Sequence, residues 1–198
     1  MSIFEAIKKG DLQAVIKLIG LDVDINATDE HGYTALMMAC YKGHTNIVKV
    51  LLAAGAKMET KEPEHDFTAL TLGIQVGKYN VVQALLSASA STEVMEVTDN
   101  WGNTPLIRSS FNGHPEIVKA LLEAGANKDA KNKADKTALD VANEYYNLNI
   151  LGILKKMTKS SATRHYPPGS FIIHFNFKYI FINIYKNISI SIIRRYEY

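Results

Sequence analysis

Between residues 45 and 53 large apolar side chains come in pairs, Ile47-Val48 and Leu51-Leu52, with Thr45, Asn46 and Lys49 among them. Spacing of i, i+1, i+4 and i+5 gathers these side chains into one stripe on a helix of about three turns and leaves a polar back. The pattern returns at Val81-Val82 with Leu85-Leu86, and at Ile117-Val118 with Leu121-Leu122. Ahead of each stripe lies a second short segment that opens on Thr-x-Leu: Thr34-Ala35-Leu36, Thr68-Ala69-Leu70 and Thr104-Pro105-Leu106, with a fourth at Thr137-Ala138-Leu139. The threonines are 34, 36 and 33 residues apart, and a glycine follows three of them by nine residues, at Gly43, Gly77 and Gly113. Working back 33 residues from Gly43 finds Gly10, with Val15, Leu18 and Ile19 in register. The chain therefore predicts five units of two short helices, over residues 2–29, 30–62, 63–99, 100–133 and 134–158. No such helix pair buries its apolar faces alone, so neighbouring units must stack.

The repeated words are specific. The openings read "TALMMA", "TALTLG", "TPLIRS" and "TALDVA"; a Gly-His corner stands at Gly43-His44 and Gly113-His114; a Gly-Ala exit stands at Gly55-Ala56 and Gly125-Ala126. Over about four-fifths of its length the chain resembles the ankyrin repeat family. That resemblance implies an all-α solenoid of stacked helix-turn-helix units joined by hairpin loops. It departs from the family in lacking the opening histidine, which ties neighbouring loops together; Met37, Thr71, Ile107 and Asp140 stand in its place. Ser89 replaces the exit glycine of the third unit, where a left-handed backbone is expected at a cost of about 1 kcal/mol, making this unit the weakest. Its hairpin, "STEVMEVTDNWGN", is three residues longer than the shortest.

Ser2 and Glu5 form a Ser-x-x-Glu capping box at the start, and near the last helix end Lys155 takes the place of Leu52, Leu86 and Leu122, with Lys156 beside it. Both features predict a closed array ending near residue 158. Beyond it lies other material. "FIIHFNFKYIFINIYKNISISII" contains no Leu, Val or Ala, and residues 159–198 hold six Lys and Arg against the single acid Glu197. This tail is net +5 in a chain of net +2, leaving −3 for residues 1–158. The tail reads first as irregular or disordered chain from translated A/T-rich sequence. It also admits a membrane anchor, interrupted by His174, Asn176, Lys178, Asn183, Lys186 and Asn187, or an aggregation-prone strand.

Composition narrows the chemistry. The 47% apolar and 21% charged fractions suit a soluble protein. One cysteine, Cys40, excludes an internal disulfide and points to a reducing compartment, cytoplasmic or nuclear. No secretion signal opens the chain, so the acceptor patterns at Asn26 and Asn187 carry no weight for glycosylation. There is no phosphate-cradling glycine loop, and His31 and His65 lie at hairpin tips without Cys or carboxylate partners at metal spacing. The reading is a non-enzyme without catalytic residues, cofactor or metal. Asn26, in "LIGLDVDIN", resembles the setting in which ankyrin hairpin asparagines are hydroxylated; the plainer reading is a turn asparagine bonded to its own backbone.

Within the family, partners are held by the hairpin tips and the exposed edge of each first helix, on the concave side. The positions that carry over are Glu30, His31, Tyr33, Tyr41 and Lys42 in the second unit, and Glu64, His65, Phe67, Gln75 and Val76 in the third. The fourth supplies Asn100, Trp101, Asn103, Phe111 and Asn112; the fifth Lys133, Lys136, Glu144 and Tyr145, with Lys8 and Lys9 starting the row. Six of the nine aromatics within residues 1–158 fall on this stripe. Exposed aromatics among polar neighbours are the composition of an interface centre, although several would serve equally to close gaps between repeats. Mixed charge argues against a nucleic acid and for a protein or peptide bound to a monomeric scaffold. Two other readings stay open: the repeat portion of a larger signalling or channel protein, and a membrane-tethered adaptor.

Overall fold

The computed structural model of the chain describes residues 1–89 and 91–158; the tail expected from Lys159 onward lies outside them. Among the described residues the fold is all-α, as the periodicity predicts. Five helix pairs follow one another: α1 (Ile3–Lys9) with α2 (Leu12–Ile19), α3 (Ala35–Lys42) with α4 (Thr45–Ala53), and α5 (Ala69–Gln75) with α6 (Tyr79–Ala88). Then come α7 (Pro105–Asn112) with α8 (Pro115–Glu123), and α9 (Ala138–Glu144) with α10 (Leu148–Thr158). The odd-numbered helices pack on one another in sequence, and the even-numbered ones form a second row behind them. Val15, Val48, Val82 and Val118 are buried between the rows beside Leu51, Leu85 and Leu121. Each such leucine contributes roughly 2 kcal/mol through removal of its apolar surface from water.

The repeated threonine starts the inner helices. Thr34, Thr68, Thr104 and Thr137 are N-caps whose hydroxyls accept the N–H of Met37, Thr71, Ile107 and Asp140. Three of those four residues return the bond. Met37 Sδ, Thr71 Oγ1 and Asp140 Oδ2 accept the N–H of the capping threonine at 3.4, 3.3 and 2.9 Å. The residues that replace the family's opening histidine therefore close a local capping box, and only Ile107 has no side-chain acceptor to do so. Ser2 and Glu5 form the same reciprocal pair at α1.

Two local expectations are corrected. Ser89 does not adopt the left-handed conformation that glycine would fill; its backbone is extended, at φ −75° and ψ 125°. The chain leaves α6 without the tight exit and spends its extra residues on a 3-10 turn, Thr92–Met95, which buries Val94 and Met95. A longer hairpin thus avoids a strained one. Asn26, expected to bond its own backbone, instead accepts the N–H of Lys57 in the next unit at 2.8 Å, while its own N–H goes to Asp24 Oδ1. Glu96 takes the equivalent N–H of Asn127 at 3.0 Å.

Candidate protein-interaction face

Each hairpin tip is held by one side chain that gathers backbone N–H groups. Asp29 Oδ1 accepts from His31 and Tyr33, Asp99 Oδ1 from Trp101 and Asn103, and Asn132 Oδ1 from Ala134 and Lys136, all at 2.9–3.0 Å. Glu62 does this in the third unit for Glu64, His65 and Phe67. Its clasp reaches the threonine in six residues where the other three take five, and the extra methylene of Glu suits the extra residue. Neighbouring tips are then linked in turn: Asn100 donates to His65 O at 3.0 Å and Lys133 to Trp101 O at 3.1 Å. The third, fourth and fifth tips thus form one hydrogen-bonded row, and it fixes what they present.

Arg108 organises the middle of this face. It stands where Met38, Leu72 and Val141 stand in the other inner helices. Its guanidinium is buried, and both its Nε, at 3.0 Å, and its Nη2 donate to Asp99 Oδ2. Asp99 also accepts from Asn103 Nδ2 at 3.2 Å, so the buried carboxylate is fully hydrogen-bonded. The Arg108 Cζ lies 5.0 Å from the Phe67 ring centre, 5.1 Å from Trp101 and 5.8 Å from Phe111. His65 stacks on Phe67 at 5.1 Å and on Trp101 at 5.6 Å. A buried cation against aromatic faces adds about 1–2 kcal/mol of attraction to their apolar contact.

Phe67 departs from expectation. It is only 8% exposed and belongs to the core beneath Trp101 rather than to the surface. The stack with His65 and the Arg108 cation covers it. Trp101, Phe111 and Tyr145 do lie open, at 48, 43 and 49% exposure, and Phe111 meets Tyr145 edge-on at 4.6 Å. They wall a groove of about 510 Å³ between the fourth and fifth units, floored by Arg108 and Val141 and rimmed by Asn100, Asn103, Lys133, Lys136 and Glu144. Lys136 donates to Glu144, and that bond holds its ammonium above the usual lysine range.

A second, smaller groove of about 360 Å³ lies between the first and second units, lined by Lys8, Asp29, His31, Tyr33, Met38, Tyr41 and Lys42. Tyr33 is half-buried there, its phenol pushed to higher pKa by burial and then by the negative charges of Glu62 and Glu64. Glu30 is exposed beside His31 at 3.6 Å. Between the grooves, Asn112 Nδ2 donates to Gln75 Oε1 at 3.4 Å, and Asn100 Nδ2 donates to Glu64 O at 3.3 Å. The residues singled out from sequence therefore divide between two grooves and a middle bonded across neighbouring units; on the rim of the larger groove, Asn103 is turned inward to Asp99 and Asn132.

Arg108 is the residue that sequence reasoning missed. The signal was present: a charged residue at a position apolar in the three other full openings. The partners of His65 were missed too. Its Nδ1 lies 3.5 Å from Glu62 Oε1 and 3.8 Å from Glu64 Oε2, and the three side chains place ligand-type atoms within 4.8 Å of one another. Glu62, however, already receives three backbone N–H groups, so its carboxylate is committed to the hairpin. Cys40 is fully buried, and burial pushes its thiol well above the ordinary range, which leaves it unreactive.

Comparison with known proteins agrees with this architecture. A family model described as ankyrin repeats (3 copies) matches residues 3–96 and 91–163. The chain is 36% identical over 100 residues to a mouse (Mus musculus) fem-1 homolog A-like protein, covering 50% of this chain and 14% of that protein. It is 27% identical over 175 residues to a mitochondrial disaggregase from Bos taurus, covering 83% of this chain and 23% of the other. Over 47 residues it is 49% identical to the human NAD-capped RNA hydrolase NUDT12, covering 24% of this chain and 10% of that one. In each case the chain spans less than a quarter of the relative's length.

Proposed function

Because the chain belongs to the ankyrin repeat family, whose members bind proteins through such stacks, we propose that it is a non-catalytic interaction module whose partner lies across the hairpin tips and inner helices. The observation that carries this reading is the exposed trio Trp101, Phe111 and Tyr145 around one groove, the first two over a buried Arg108 and the third edge-on to Phe111. Large rings kept in place before binding lose little freedom when covered, and this is what makes an interface hot spot. A reducing setting, cytoplasmic or nuclear, goes with this reading and with the buried free thiol. No helix among the described residues is long and apolar enough to cross a membrane.

Site-specific photocrosslinking tests it. A benzophenone residue at position 145 should capture a partner protein from native extract, and one at position 83, on the outer row, should not. Capture from position 83 alone would move the interface to the outer helices. A second reading treats these repeats as the interaction part of a longer signalling or channel protein. It is favoured by the small share of each relative that the chain spans. Long-read sequencing of the native transcript checks it.

A further inference from the structure

We infer that the groove between the fourth and fifth units takes a partner segment in which an aromatic or large aliphatic side chain stands next to a carboxylate; this deepens the interaction reading above and rests on it. The argument is one of walls and charges. The walls are Trp101, Phe111 and Tyr145, three open rings around about 510 Å³ of space, enough for one large side chain and its neighbour. The charges nearly cancel in pairs. Arg108 is neutralised by Asp99, and Lys136 by Glu144. Lys131, on the same hairpin, pairs with Asp135.

Lys133 breaks this pattern. It lines the groove, is exposed, and its ammonium donates to the carbonyl of Asn100 at 2.7 Å. No carboxylate of the described residues lies within ion-pair distance of it. An ammonium has three donors, so the Asn100 bond leaves two to offer. The Trp101 indole N–H, on the same rim, makes no hydrogen bond with the described residues and is a further donor. One uncompensated cation beside a neutral donor, above an aromatic wall, suits a single carboxylate carried by an apolar anchor. A nucleic-acid backbone would ask for a row of cations, and the groove instead sets Glu144 beside Lys136.

Trp101 is the only tryptophan, so its fluorescence reports this groove directly. The full-length chain is titrated with three capped peptides: Gly-Phe-Glu-Glu-Gly, Gly-Ala-Glu-Glu-Gly and Gly-Phe-Lys-Lys-Gly. The first should give a saturable change, and the other two should bind at least about tenfold more weakly. Lys133→Glu should reverse the order of the two Phe peptides. Lys119→Glu, an equal charge change on the outer helix α8, should leave it as it was; both variants are first checked for an unaltered melting curve. Equal binding of the Phe and Ala peptides, no binding of any, or the same response in both charge variants overturns the inference. If position 145 still crosslinks a protein in that event, the interaction reading stands and only the partner chemistry is wrong. Crosslinking from position 83 alone overturns both.

Discussion

The hairpins of the second and fourth units are built on the same clasp and differ beneath it. In both, an aspartate Oδ1 takes two N–H groups of the tip, from His31 and Tyr33 in one and from Trp101 and Asn103 in the other. Under Asp29 lies Met38, an apolar neighbour that asks nothing of the second carboxylate oxygen. Under Asp99 lies Arg108, which takes that oxygen and sets its cation against the rings of Phe67, Trp101 and Phe111. One exchange on the inner helix, methionine for arginine, turns a clasp that only shapes a loop into a platform that also holds a binding surface. Among the described residues, Tyr33 and Tyr41 of the smaller groove beside Met38 have no such cation beneath their rings.

The largest effect should come from removing that difference. Arg108→Met gives the fourth unit the second unit's arrangement but leaves Asp99 buried, and breaking a buried pair is expected to lower unfolding free energy by about 3–5 kcal/mol. Leu51→Ala, a core cavity with no charge involved, sets the scale at about 2–5 kcal/mol. Adding Asp99→Asn to Arg108→Met should recover part of the loss, since an amide tolerates burial better than a bare carboxylate. Chemical denaturation of the three variants checks this. No recovery would mean that Arg108 acts by packing its stem rather than by its charge.

Of intermediate size is the contrast between the two exposed aromatics. Trp101→Ala removes a ring that lies against His65 and the Arg108 cation, and should cost about 1–2 kcal/mol of stability. Tyr41→Ala removes a ring of equal exposure with no such partners, and should stay within about 0.5 kcal/mol. Each should weaken binding of the crosslinked partner by about 1–3 kcal/mol. Calorimetric titration beside denaturation separates the two quantities. A Trp101→Ala variant that unfolds as badly as Leu51→Ala would make this ring a structural one.

How much of this was legible beforehand follows from what repeats. The helix pairs were legible because the same apolar spacing returns in several units, and stacking leaves one way to bury it. Thr34, Thr68, Thr104 and Thr137 announced the helix starts for the same reason. What repetition hides is the exception. The repeat predicts an open Phe67 because its position in the unit is open; the cation that lies against it comes from Arg108, 41 residues on. The repeat predicts strain at Ser89 because it demands a left-handed turn there, yet a longer loop removes the demand. Both misses arise where one unit stops copying its neighbours, and so does the groove.

The smallest expected effect lies at the groove's far wall and separates its backbone from its rings. Where Gly10, Gly43, Gly77 and Gly113 turn the corner between paired helices at positive φ, the fifth unit places Tyr146, at φ 54°. A Cβ in that region costs about 1–2 kcal/mol, and part of the gain from removing it is returned as the extra freedom glycine loses on folding. Tyr146 also makes interactions of its own, and any that run through its ring are lost. Tyr146→Gly should therefore raise stability by only about 0.5–1 kcal/mol, read as an upward shift of the melting temperature. Tyr145, the C-cap of α9 and the groove wall, precedes it directly, and keeping the same backbone turn should keep that ring on Phe111. Trp101 fluorescence and the Phe-Glu peptide titration should then be unchanged in the stabilised variant. If stability falls instead, the Tyr146 ring holds the corner more strongly than its backbone strains it. If stability rises while the titration weakens, Tyr146 helps to set the groove wall, and the aromatic surface extends one residue further than its exposed trio.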